Sequence, residues 1–96
     1  MIADFGDQAT EDIYHDFNSA RTRRFSEEVR RATRRKLMLI AAATTVQDLR
    51  VPPGNRLEQL RGDMAGRWSV RVNDQWRIVF RWADGTASDV RLTDYH

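Results

Sequence analysis

The 96-residue chain is long enough for one domain with a single modest core and too short for two. With 41% hydrophobic and 31% charged residues it reads as a folded globular protein; no apolar run spans a membrane and no leader pattern opens the chain, so a cytoplasmic location is expected. Cysteine is absent, which excludes disulfides and thiolate chemistry, and two histidines are too few for an imidazole-based metal site, so neither metal nor cofactor is expected.

The formal net charge of +2 conceals an asymmetry. Residues 1–18 hold five acids and no Lys or Arg, whereas residues 21–36 hold seven Arg and Lys36 against Glu27 and Glu28. The basic stretch suits a polyanion, and the acidic start suits basic groups of this chain or a partner.

In chain order, "MIADF" reads as a short first strand. Asp7 is placed to cap a helix running to about Phe17, with Ala9, Ile13 and Phe17 on one face. Ser26 is a second N-cap, followed by Glu27 and Glu28 where carboxylates favour the helix dipole. From there Val29, Ala32, Leu37, Ile40, Ala41 and Thr44 form an apolar stripe, and Arg30, Arg31, Arg34 and Arg35 occupy much of the remaining circumference. "VPPG" at 51–54 ends the helical region. "RLEQLR" reads as a strand, "GDMAG" as a turn, and "WSVRVN" and "QWRIVFRW" alternate as paired strands around an "NDQ" hairpin. "ADG" makes another turn before a last strand over about 86–94. The expected architecture is α+β, with two N-terminal helices on one face of a twisted antiparallel sheet and a single domain over residues 1–96.

Strand alternation turns the large apolar residues toward the helices and leaves Arg71, Arg77 and Arg81 on the other face, with Arg61 or Glu58 joining from the preceding strand. A solvated sheet face is ordinarily polar. Three arginines with few neighbouring acids repel one another unless an anion visits, which makes a phosphate-binding surface the competing reading. Arg31, Arg34 and Arg35 divide in the same way, between i,i+4 pairing in solvent, binding of a polyanion such as ribosomal RNA, and contact with a partner protein. His15, beside Tyr14 in the acidic helix, reads as a surface or capping residue.

The chain closes on Asp94, Tyr95 and His96, a carboxylate, a phenol and an imidazole side by side. Either they fray as a tail or a strand carries them to a site. Together with "PPGNRLEQLRGDMAGRWSVRVNDQWRIVFRW" and "DVRLTDYH", they give the sequence its resemblance to the HigB-like toxins of bacterial type II toxin–antitoxin systems, within the RelE superfamily. That resemblance implies a microbial ribonuclease-like fold and ribosome-dependent cleavage of mRNA in the A site. It also implies a HigA-like helix-turn-helix antitoxin, with operator DNA bound only through the toxin–antitoxin complex. Carried over residue by residue, it places Arg61, Arg77, Asp94, Tyr95 and His96 in the active region. Some relatives carry His within an "L-H-x-L-K-G-D" segment where this chain reads "LEQLRGD", so Glu58 stands in its place.

These residues suit RNA cleavage without a metal. His96 could move a proton near neutral pH, and the adjacent α-carboxylate would raise its pKa and suit it to general acid work. Glu58 could accept a proton, Arg77 and Arg61 could stabilise phosphate charge, Tyr95 could stack on a base, and Asp94 could orient His96. A ribosome or RNA binder that does not cleave, and a subunit that modulates DNA binding by its antitoxin, are the alternatives.

Overall fold

The computed structural model describes residues 1–94; Tyr95 and His96 lie outside the described residues. Helix α1 (Gln8–Tyr14) starts at Asp7, whose side chain accepts from the Thr10 amide at 2.8 Å. It stops three residues short of Phe17 because Asp16 adopts a left-handed conformation (φ 56). The Phe17 amide then donates to the Asp12 carbonyl at 2.8 Å and the Asp16 amide to the Ile13 carbonyl at 3.1 Å, a Schellman closure. Ala9 and Ile13 are buried as expected, while Phe17 is thrown out to 59% exposure.

Helix α2 (Glu27–Ala42) is capped by Ser26, which accepts from the Val29 amide at 3.1 Å. Its buried residues are Thr33, Leu37 and Ile40. Arg30 and Arg34, expected on the solvated side, are half-buried: Arg30 donates to the Thr22 and Phe25 carbonyls and Arg34 Nε to the Tyr14 carbonyl at 3.1 Å. The seven-residue α1 cannot cover α2, so these long side chains close its flank.

The sheet is an antiparallel meander of β1 (Glu58–Gln59), β2 (Arg67–Arg71), β3 (Trp76–Ala83) and β4 (Thr86–Asp94), in that spatial order. The six-residue strand expected at "RLEQLR" shrinks to two residues, because the left-handed Arg56 (φ 44) and the 3-10 turn Gly62–Met64 confine it. The Asp84–Gly85 turn, with both φ positive, joins β3 to β4 as a tight hairpin. "MIADF" forms no continuous strand. Ile2 and Phe5 make isolated parallel bridges to Ala87 and Val90, interrupted where Asp89 (φ 49) bulges from β4 and its amide turns to the Asp4 carboxylate at 2.6 Å.

Val70, Ile78, Phe80, Ala87 and Val90 of the sheet pack with Leu37, Ile40 and Leu49 into one core. Fully buried apolar side chains of this size each contribute about 1.5–3 kcal/mol. The α+β layering is therefore the one expected, and it leaves one sheet face turned away from both helices.

Candidate active site on the open sheet face

Register builds this face. Arg71 lies opposite Arg77, Glu58 opposite Ser69, Arg67 opposite Arg81, and Arg77 opposite Thr93. With the two-residue period, Glu58, Ser69, Arg71, Arg77, Val79, Arg81 and Thr93 turn away from the helices. Its centre is closed rather than solvated: Ser69, Arg77 and Val79 are 1%, 7% and 5% exposed.

A buried guanidinium is tolerable only when its donors are matched. Arg77 Nε donates to Ser69 Oγ at 2.9 Å and Nη2 to the Arg56 carbonyl at 2.7 Å, while the half-exposed Glu58 carboxylate lies 3.7 Å from Nη2. The result is a fixed cation beside a carboxylate, preset rather than assembled when an anion arrives. Glu58 and Arg77, singled out from sequence, are thus brought together.

The other candidates distribute around this pair. Arg71 pairs with Asp74 at the β2–β3 turn. Asp94 lies opposite Trp76, one residue beyond the partner of Arg77, and accepts from Gln75 Nε2 at 3.2 Å. Arg61 is exposed beyond the other end of β1, since Gln59 already faces Trp68 and the Leu60 amide donates to the Arg67 carbonyl. At about 3.3 Å per residue, five residues of β2 separate that level from Arg71 and Arg77, so Arg61 stands apart from them. Arg81 is exposed beside Arg67.

The face also carries more acid than the sequence suggested. Asp89 meets Arg67 at 2.5 Å and Arg91 at 2.7 Å, and its hydrogen bonds from Arg91, then from Arg67, hold its carboxyl below the ordinary carboxylate range. Arg91 is raised in turn, chiefly by the hydrogen bond to Asp89. Strand alternation could not reveal this cluster, because the bulge at Asp89 is what turns its carboxylate toward both arginines.

The helix arginines form a separate surface. Exposed Arg31 pairs with Glu27 at 2.6 Å, one turn before it, and Arg35 is exposed. With Arg30, Arg34 and Arg23 they line a groove of about 630 Å³ between α1 and α2 that also holds Phe17 and Met38. Because α2 buries its Thr33–Leu37–Ile40 stripe against the sheet, Arg31 and Arg35 point to the side opposite Arg77. His15 is exposed, edge-on to Tyr14 at 5.2 Å, in keeping with a surface residue.

Known proteins share the fold and the sequence pattern. Two structures of the YoeB–YefM complex from Staphylococcus aureus superpose on the whole chain and on 95% of theirs, with TM-scores of 0.63 and 0.56 at 19% and 17% identity, a likeness of fold. Toxin HigB-1 of Vibrio cholerae serotype O1 is 41% identical over 92 residues, covering 96% of this chain and 95% of the relative. The Endoribonuclease HigB of Proteus vulgaris is 37% identical over 65 residues, covering 64% and 65%. Residues 3–96 match the model of the HigB-like toxins, described as RelE-like toxins of type II toxin–antitoxin systems. The chain belongs to the HigB-like toxin family.

Proposed function

We propose that this chain is a ribosome-dependent endoribonuclease that cleaves mRNA in the A site and so arrests translation. The observation that carries the reading is the buried, pre-oriented Arg77 beside Glu58, on the sheet face that β4 reaches with Thr93, the residue before the closing Asp94, Tyr95 and His96 of the sequence. The nuclease name of the Proteus relative supports it. The nucleophile is the RNA's own 2′-hydroxyl, so the chemistry needs no metal. Glu58 takes the 2′-proton as the oxygen attacks the adjacent phosphorus, Arg77 stabilises charge on the pentacoordinate phosphate, and His96 protonates the departing 5′-oxygen. The phosphorus–5′-oxygen bond breaks, leaving a 2′,3′-cyclic phosphate and a 5′-hydroxyl. Tyr95 stacks on a base and Asp94 orients His96.

Arg61, Arg71 and Arg81 bind flanking phosphates along the same face. Arg31, Arg34 and Arg35 bind ribosomal RNA from the helix side, and a HigA-like antitoxin neutralises the toxin and carries it to operator DNA. The ribosome supplies what a small open face lacks, a fixed and splayed single strand.

Primer extension on mRNA from cells producing the protein tests the reading. New 5′ ends within translated codons are expected, and they should vanish when His96 is deleted although the variant still folds. One observation favours a second reading: the Arg77 guanidinium is already engaged by Ser69 and Arg56, as in a structural arginine. Growth arrest without new 5′ ends would establish that non-cleaving binder instead.

A further inference from the structure

The lone lysine of the chain sits behind the site. Lys36 on α2 is half-buried, and its Nζ donates to Asn55 Oδ1 at 2.5 Å. Among the described residues no carboxylate lies within ion-pair distance of it. Loss of water, with Arg35 and Arg71 nearby, lowers its pKa. Asn55 is 1% exposed and spends its amide on the Leu49 and Val51 carbonyls at 3.2 and 3.3 Å. The next residue, Arg56, is held left-handed at φ 44 and ψ 56, a conformation unfavourable for a residue with a Cβ. That twist aims the Arg56 carbonyl at Arg77 Nη2, 2.7 Å away.

We propose that Lys36 and Asn55 are positioning residues that fix the Arg77 guanidinium through the Arg56 carbonyl. A half-buried ammonium with no counter-carboxylate among the described residues is a poor stabilising device, and an apolar side chain could fill the same space. What the ammonium does supply is a hydrogen bond to Asn55, whose buried amide ties residue 55 to the Leu49 and Val51 carbonyls. The chain of contacts runs from helix to buried amide to strained carbonyl to guanidinium. The catalytic consequence rests on the reading of Arg77 given above; the positioning itself does not.

Both parts are tested on the purified full-length chain. In wild type the Arg77 Nε–H proton, bonded to Ser69, should give a resolved, slowly exchanging NMR signal, assigned by its loss in Arg77→Lys. Lys36→Met should stay folded yet shift that signal and speed its exchange; Lys36→Arg should restore it. In ribosome-dependent cleavage, Lys36→Met should lower kcat about tenfold or more with KM little changed, as small misplacements of a catalytic group do. In an Arg77→Ala background the same change should cost nothing further, because both act through one group. Asn55→Ser supplies a second variant with the same expected signature. An unaltered Arg77 signal in Lys36→Met, or full additivity with Arg77→Ala, would overturn the proposal. A shifted signal together with undiminished cleavage by Arg77→Ala would uphold the positioning and remove Arg77 from the chemistry.

Discussion

Any guanidinium brings its charge with it, so what the fold adds at residue 77 is orientation. Ser69 and the Arg56 carbonyl hold the guanidinium plane in a site that excludes water, where lysine would offer charge without the planar fork. Arg77→Lys should therefore fold and still lose about a hundredfold or more in cleavage, a loss typical of removing one aligned donor; a circular dichroism melt beside the primer-extension assay separates the two effects. Thr33 offers the opposite case. Its hydroxyl is buried on α2 with no hydrogen-bond partner among the described residues, so it carries a desolvation cost that a valine of the same shape would not. Thr33→Val should stabilise by about 1 kcal/mol, roughly 4–8 °C in Tm for a domain of this size.

At the level of the elements, two departures from the expected pattern share one cause, a non-glycine residue in a left-handed turn. Asp16 closes α1 early and Asp89 breaks β4. Asp16→Gly should relieve the Cβ penalty and stabilise by up to about 1 kcal/mol, read in a thermal melt. Periodicity made the caps at Asp7 and Ser26, the alternating strands and the Asp84–Gly85 hairpin legible. Short-range pattern has no means of marking an aspartate that takes a glycine's conformation, so the helix expected from periodicity overruns α1 and the Arg67–Asp89–Arg91 cluster has no signature in the sequence. The site divides along the same line. Glu58 and Arg77 follow from strand parity, and Arg71 with them. Lys36 and Asn55 do not, because their importance lies in a hydrogen bond between elements nineteen residues apart. Asn55 in particular reads as an ordinary turn residue until its burial is known.

The whole molecule should be acid-labile in a defined window. Asp12 is lowered chiefly by the hydrogen bond from Gln8, Asp48 by those from the Thr45 and Thr44 amides, and Asp89 by those from Arg91 and Arg67, all from an ordinary value of 3.8. A carboxyl with a lower pKa folded than unfolded stabilises the fold fully above the unfolded value and ceases to do so as pH falls through the folded one. Urea midpoints should thus be flat above about pH 5 and fall steeply below about pH 4, and Asp89→Asn should blunt that fall.

The two arginine faces lie back to back, the α2 groove on one side and Arg77 on the other. A molecule charged in this way can be gripped by one polyanion while it acts on a second, so that holding and cutting become separable properties. Reversing charge at Arg31 and Arg35 should then weaken attachment to the ribosome and flatten its salt dependence, with turnover at saturation preserved. A toxin built on that plan could be disarmed from its rear surface with its front left uncovered.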